Sequence, residues 1–136
     1  MWTRYVWPIG LAVAIFYASD GQPAGFTTRW NDYHADKLAH LVIFGLLSIS
    51  CCRLNLLGKQ RPLANALFVI ILTSLYGLTD ELHQNTTPGR MLELGDWVAD
   101  TVGAVIGVYL YTVWPCCRHF LETELRARKT INGNLK

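Results

Sequence analysis

The sequence predicts an all-α fold: a four-helix transmembrane bundle with both termini on the cytoplasmic side. Three observations carry this expectation. Four apolar segments divide the chain, at residues 6–18, 38–52, 63–78 and 97–117. Hydrophobic residues make up 51% of the 136 positions and charged ones 16%, which leaves few charges to cover a soluble surface. Five Trp, six Tyr and five Phe add amphipathic rings of the kind that gather at membrane interfaces. A net charge of +2, with no basic stripe interleaved with aromatics, argues against nucleic acid as a partner.

A spanning helix wants about 20 residues, so only the last segment is long enough unaided. The first is extended at its start by Trp2, Tyr5 and Trp7. It also resembles a signal peptide in outline, but a single Arg4 and the Trp7-Pro8 pair favour an uncleaved helix. The stretch SDGQPAGFTTRWNDYHADK has Gly and Pro turn signals and reads as an outer loop lying along the interface. Arg53 can snorkel after the second segment. The short inner loop RLNLLGKQRP makes helices two and three antiparallel neighbours, with Pro62 suited to the first turn of helix three. In helix four, Ala99, Gly103 and Gly107 put small residues on one face. Packing within the chain is the simpler account of that face, and a homodimer through Gly103 and Gly107 the alternative. Residues 1–117 thus form one membrane domain. Residues 118–136, with RHFLETELRARKT, form a basic amphipathic tail on the inner membrane surface.

Charge sets the expected orientation. Arg4, Arg53, Lys59, Arg61, Arg118, Arg126, Arg128, Lys129 and Lys136 fall on one side, and only Arg29, Lys37 and Arg90 on the other. The positive-inside rule then places the termini in the cytoplasm. Eight of the ten acids fall on the outer side. Cys51-Cys52 and Cys116-Cys117 lie at inner helix ends. Adjacent cysteines rarely converge on one metal, and a disulfide is disfavoured in a reducing compartment.

Three polar pairs share one geometry. Asp36 and His40, Asp80 and Gln84, and Asp96 and Asp100 are each four residues apart, so each pair shares a helical face. All three fall at the outer level, where ionisable groups are costly and usually face a bundle interior or an aqueous cavity. For Asp36 or Asp96 alone the simplest role is a favourable charge at a helix N-terminus. Those N-termini, with Lys37 and Arg90, also suit a phosphate or carboxylate. His40 taken alone reads as a hydrogen-bonded interior histidine. Adjacent Asp80 and Glu81 are harder to explain as solvated surface. His40, His83, Asp36, Asp80, Glu81 and Asp96 are fit metal ligands, but no HExxH-type spacing occurs, so no cofactor is expected and a divalent ion is the lesser reading. No nucleophile sits in a recognisable triad.

DKLAHLVIFGLL from Asp36, followed by DELHQNTTPGRMLELGDWVADTVGAVIG from Asp80, resembles the VanZ-like family of small bacterial membrane proteins. The matching positions are Asp36, Lys37, His40, Asp80, Glu81, Gln84, Pro88, Arg90, Asp96, Gly103 and Gly107, within residues 36–110. Asp100 departs from the pattern, standing where the family usually has Asn. The resemblance implies a bacterial inner-membrane location and a cell-envelope role. It also implies a link to resistance against teicoplanin, a lipoglycopeptide.

Two functions follow as expectations. In the first, an outward pocket of Asp36, Lys37, Gln84, Arg90, Asp96 and Asp100 binds an amphiphile, such as a lipoglycopeptide or lipid-linked wall precursor. In the second, an enzyme acts on such a lipid, with Glu81 or Asp80 as general base, His40 as its partner and Arg90 stabilising developing negative charge. A proton-coupled transporter is disfavoured by the lack of acids in the inner parts of the helices.

Overall fold

A computed structural model describes residues 3–19, 30–58, 60–86 and 92–114. Among these residues there are four helices and no strand: α1 Thr3–Ser19, α2 Trp30–Cys52, α3 Pro62–Gln84 and α4 Leu94–Val113. Three boundaries differ from the apolar segments. α2 starts early and takes in WNDYHADK, assigned above to a loop, because no Gly or Pro interrupts it. α3 continues through the polar TDELHQ to Gln84. α4 ends at Val113 rather than residue 117. Trp114 precedes a proline, which disfavours helical backbone at that position, and it is extended at φ −100° and ψ 95°. Pro62 does occupy the first turn of α3, where its missing N–H leaves no bond unmade.

The chain runs up and down. The end of α1 lies beside the end of α3, and the starts of α2 and α4 meet them there. α2 and α4 run parallel and form the most extensive helix pair. Glycine makes their approach close. A Cβ at Gly103 would collide with the Leu41 carbonyl, and one at Gly107 with the Gly45 carbonyl and the Ser48 hydroxyl. The small-residue face of α4 is therefore covered by α2 of the same chain. Towards the other end, Ile15, Phe44, Leu47, Val69, Val108 and Tyr111 fill an apolar core. Hydrogen bonds to backbone carbonyls also cross between helices, from Tyr76 Oη to Ala12 O at 2.6 Å and from Trp97 Nε1 to Ser74 O at 3.1 Å.

Alongside that apolar core, burial departs from that of a water-soluble bundle at both extremes. Asp100 is 0% exposed and Glu81 1%, while Leu63 is 73% exposed and Trp7 63%. Water would penalise such an arrangement twice, by wetting leucines and by desolvating carboxylates. A lipid surround removes the first penalty and makes the interior the best place for the acids. By length and composition, two of the described helices can cross a membrane: α2, over His34–Cys52 with mean hydropathy 1.5, and α3, with 1.6.

Candidate functional site

The polar residues gather at the end of the bundle where α1 and α3 finish and α2 and α4 begin, and they divide into three groups. In the first, Asp80 is fully engaged. Its Oδ1 accepts a bond of 2.6 Å from Ser19 Oγ, and its Oδ2 one of 3.0 Å from Gln84 Nε2. Ser19 Oγ is also 2.9 Å from the Ile15 carbonyl, so the group ties the last turn of α1 to α3. Phe16 stacks on His83 beside it, with ring centroids 4.3 Å apart.

In the second group, Lys37 of α2 bridges to α4. Its Nζ lies 2.5 Å from Asp96 Oδ1 and 3.1 Å from Glu93 Oε2. Asp96 sits in the first turn of α4, where its charge also complements the helix dipole. Asp36, one residue before Lys37, is exposed.

The third group lies between these two. His40 Nδ1 is 2.9 Å from Asp100 Oδ1. Glu81 reaches from α3 to the N-terminus of α4, where its Oε2 accepts the Glu93 backbone N–H at 3.0 Å. Each carboxylate keeps one buried oxygen with no hydrogen-bond partner, Glu81 Oε1 and Asp100 Oδ2. One ligand atom from each of His40, Glu81 and Asp100 falls within 4.8 Å of the others. Gly77, one turn before Glu81, makes room for this cluster. A Cβ there would stand 2.7 Å from Asp100 Oδ2. Thr73 continues the same face of α3, and its buried Oγ1 has no partner either.

Of the residues singled out from the sequence, His40, Glu81 and Asp100 come together, Lys37 joins Asp96, and Asp80 joins Gln84. Asp80 pairs with Ser19 and Gln84, and His40 with Asp100. Arg90, Pro88, Cys116, Cys117 and the tail lie outside the described residues. Sequence reasoning missed Ser19, Gly77 and the Glu93 backbone. Gly77 carries a usable signal, since it sits four residues before Glu81 on one helix face.

Residues 5–115 match the VanZ/LLP1 family. The chain belongs to that family. No curated protein and no solved structure matches it. Membership in the VanZ/LLP1 family and two apolar helices together point to a membrane protein. The VanZ/LLP1 match spans all four helices, so the acid-rich end and the glycine seam both fall inside it.

Proposed function

We propose that this VanZ/LLP1 chain is a multi-pass protein of the bacterial inner membrane that binds an amphiphilic cell-envelope ligand at its acid-rich end. In this reading all four helices span the bilayer, and the cluster faces outward with both termini cytoplasmic. The observation that carries it is a convergence of ionisable side chains, Asp36, Lys37, His40, Glu81, Asp96 and Asp100, at one end of helices whose outer surfaces are apolar. An amphiphile matches both parts. Its head group meets the charged residues, with Arg90 suited to anionic groups, Lys37 holding Asp96 and Glu93 in place at the rim and the acids suited to hydroxyls or cations, while its chain lies along the exposed leucines. A lipoglycopeptide or a lipid-linked wall precursor has this character, and protection against glycopeptides such as teicoplanin follows from sequestering either.

A second reading, an acid–base enzyme acting on such a lipid, draws on one observation. The His40–Asp100 pair beside a Glu81 oxygen without a donor is an arrangement a general base needs. One experiment separates the two readings. The full chain, reconstituted in nanodiscs, is incubated with labelled envelope lipids and analysed by mass spectrometry. Binding predicts a retained, unchanged lipid, with retention reduced in Arg90→Ala. A lipid of altered mass assigns the chain to catalysis, and neither retention nor alteration defeats both.

A further inference from the structure

We propose that His40, Glu81 and Asp100 form a binding site for a divalent first-row cation of the Zn²⁺ or Mn²⁺ type. Three helices contribute one donor each, and those donors already lie within 4.8 Å of one another. Proximity of acids alone carries little weight. The decisive feature is that Glu81 and Asp100 are 1% and 0% exposed, yet each holds an oxygen without a hydrogen-bond partner. Buried carboxylate oxygens are almost always bonded, and two bare ones beside a histidine call for a positive group. His40 can offset at most one negative charge; a divalent cation offsets both and uses both bare oxygens.

The remaining contacts fit the same role. His40 Nδ1 and Asp100 Oδ1 stand 2.9 Å apart, a spacing that two donors to one ion can keep, so the histidine would meet the cation through Nδ1 with Asp100 beside it. Glu81 is fixed in turn by the Glu93 backbone N–H. One imidazole and two carboxylates, with no sulfur, suit zinc or manganese rather than a soft ion. Three protein donors leave further coordination positions for water or for a ligand oxygen.

Neighbouring charges favour this trio over the alternatives. Asp36, His40 and Asp96 also lie within 4.8 Å of one another, but Lys37 already neutralises Asp96 and Asp36 is exposed. Asp80 has both oxygens occupied by Ser19 and Gln84. A cation here goes beyond the amphiphile reading and does not depend on it.

The test uses the full chain in detergent, stripped with a chelator and dialysed against Zn²⁺ or Mn²⁺ alone, with no lipid added. The expected result is one ion per chain by elemental analysis. Affinity should fall at least about tenfold in Glu81→Gln and in Asp100→Asn and persist in Asp36→Asn. A rise in unfolding temperature on adding the ion should appear in the wild type and vanish in the two site variants. That readout separates lost binding from lost folding. Absence of stoichiometric binding to the wild type overturns the proposal. So does binding that survives undiminished in both site variants, which would locate the ion elsewhere. Because the ion is tested without lipid, a negative result here leaves the amphiphile reading standing, and a failed lipid experiment leaves the cation site standing.

Discussion

Asp80 and Glu81 are adjacent in sequence and both buried, and their surroundings are opposite. Asp80 turns toward α1 and has a donor on each oxygen, from Ser19 and from Gln84. Glu81 lies about 100° further round the helix, turns toward α4, and has a donor on one oxygen only. The first is a closed contact that holds two helices together. The second, with Asp100, is an open set of acceptors. Satisfied polar groups stabilise a fold, whereas a bare buried one carries a desolvation cost that its surroundings must offset.

The largest expected effect separates the two acids directly. Asp80→Ala removes the acceptor of two buried bonds and should lower stability by about 2 to 3 kcal/mol, read from unfolding in detergent. Glu81→Gln keeps an oxygen for the Glu93 N–H and places an amide donor beside Asp100. In the absence of added cation it should be neutral or stabilising, because a bare carboxylate oxygen disappears. If Glu81→Gln unfolds as readily as Asp80→Ala, the division between closed and open acids is wrong.

That division was only partly legible in the sequence. The i and i+4 spacing marks His40, Asp80, Gln84, Asp96 and Asp100, adjacency to Asp80 marks Glu81, and apolar segments plus family motifs mark all four helices. Spacing along one helix says which side chains share a face. It does not say which neighbouring helix that face meets. Asp80 finds Ser19 sixty-one positions away, and Ser19 reads from sequence as nothing more than a small residue ending a helix. The Glu93 contribution is a backbone N–H, invisible in residue type. The early start of α2 is hidden in the sequence because WNDYHADK is polar, and a helix end can be polar where it forms a site. His40 and Asp100 come from separate pairs that become one contact only when α2 and α4 close on Gly45, Gly103 and Gly107.

A middle-sized effect tests whether the open side depends on space as well as charge. In Gly77→Ala the new Cβ would stand 2.7 Å from Asp100 Oδ2, so the carboxylate must move. Overpacking at such a site should cost about 1 to 2 kcal/mol. Cation affinity should fall with it, while the Asp80 contacts to Ser19 and Gln84 remain. Gly10→Ala is the control, since a Cβ there meets nothing within 4 Å and helix propensity favours alanine. Equal losses in the two variants would show that alanine is disfavoured at both for reasons other than the Asp100 carboxylate.

The smallest effect concerns Glu93, which touches both the ion-pair group and the open cluster by different atoms. Its side chain is 47% exposed where it meets Lys37, against 7% for Asp96 on the same lysine. An exposed ion pair is worth about 0 to 1 kcal/mol, and Lys37 keeps its shorter contact to Asp96. Glu93→Gln should therefore shift stability by no more than about 0.5 kcal/mol, with little dependence on salt. Its backbone N–H still reaches Glu81, so cation binding should be unchanged. A marked loss of binding in this variant would move Glu93 from a backbone support to a side-chain member of the site. The open cluster would then extend into the Lys37 group, and the boundary drawn between the polar groups would have to be redrawn there.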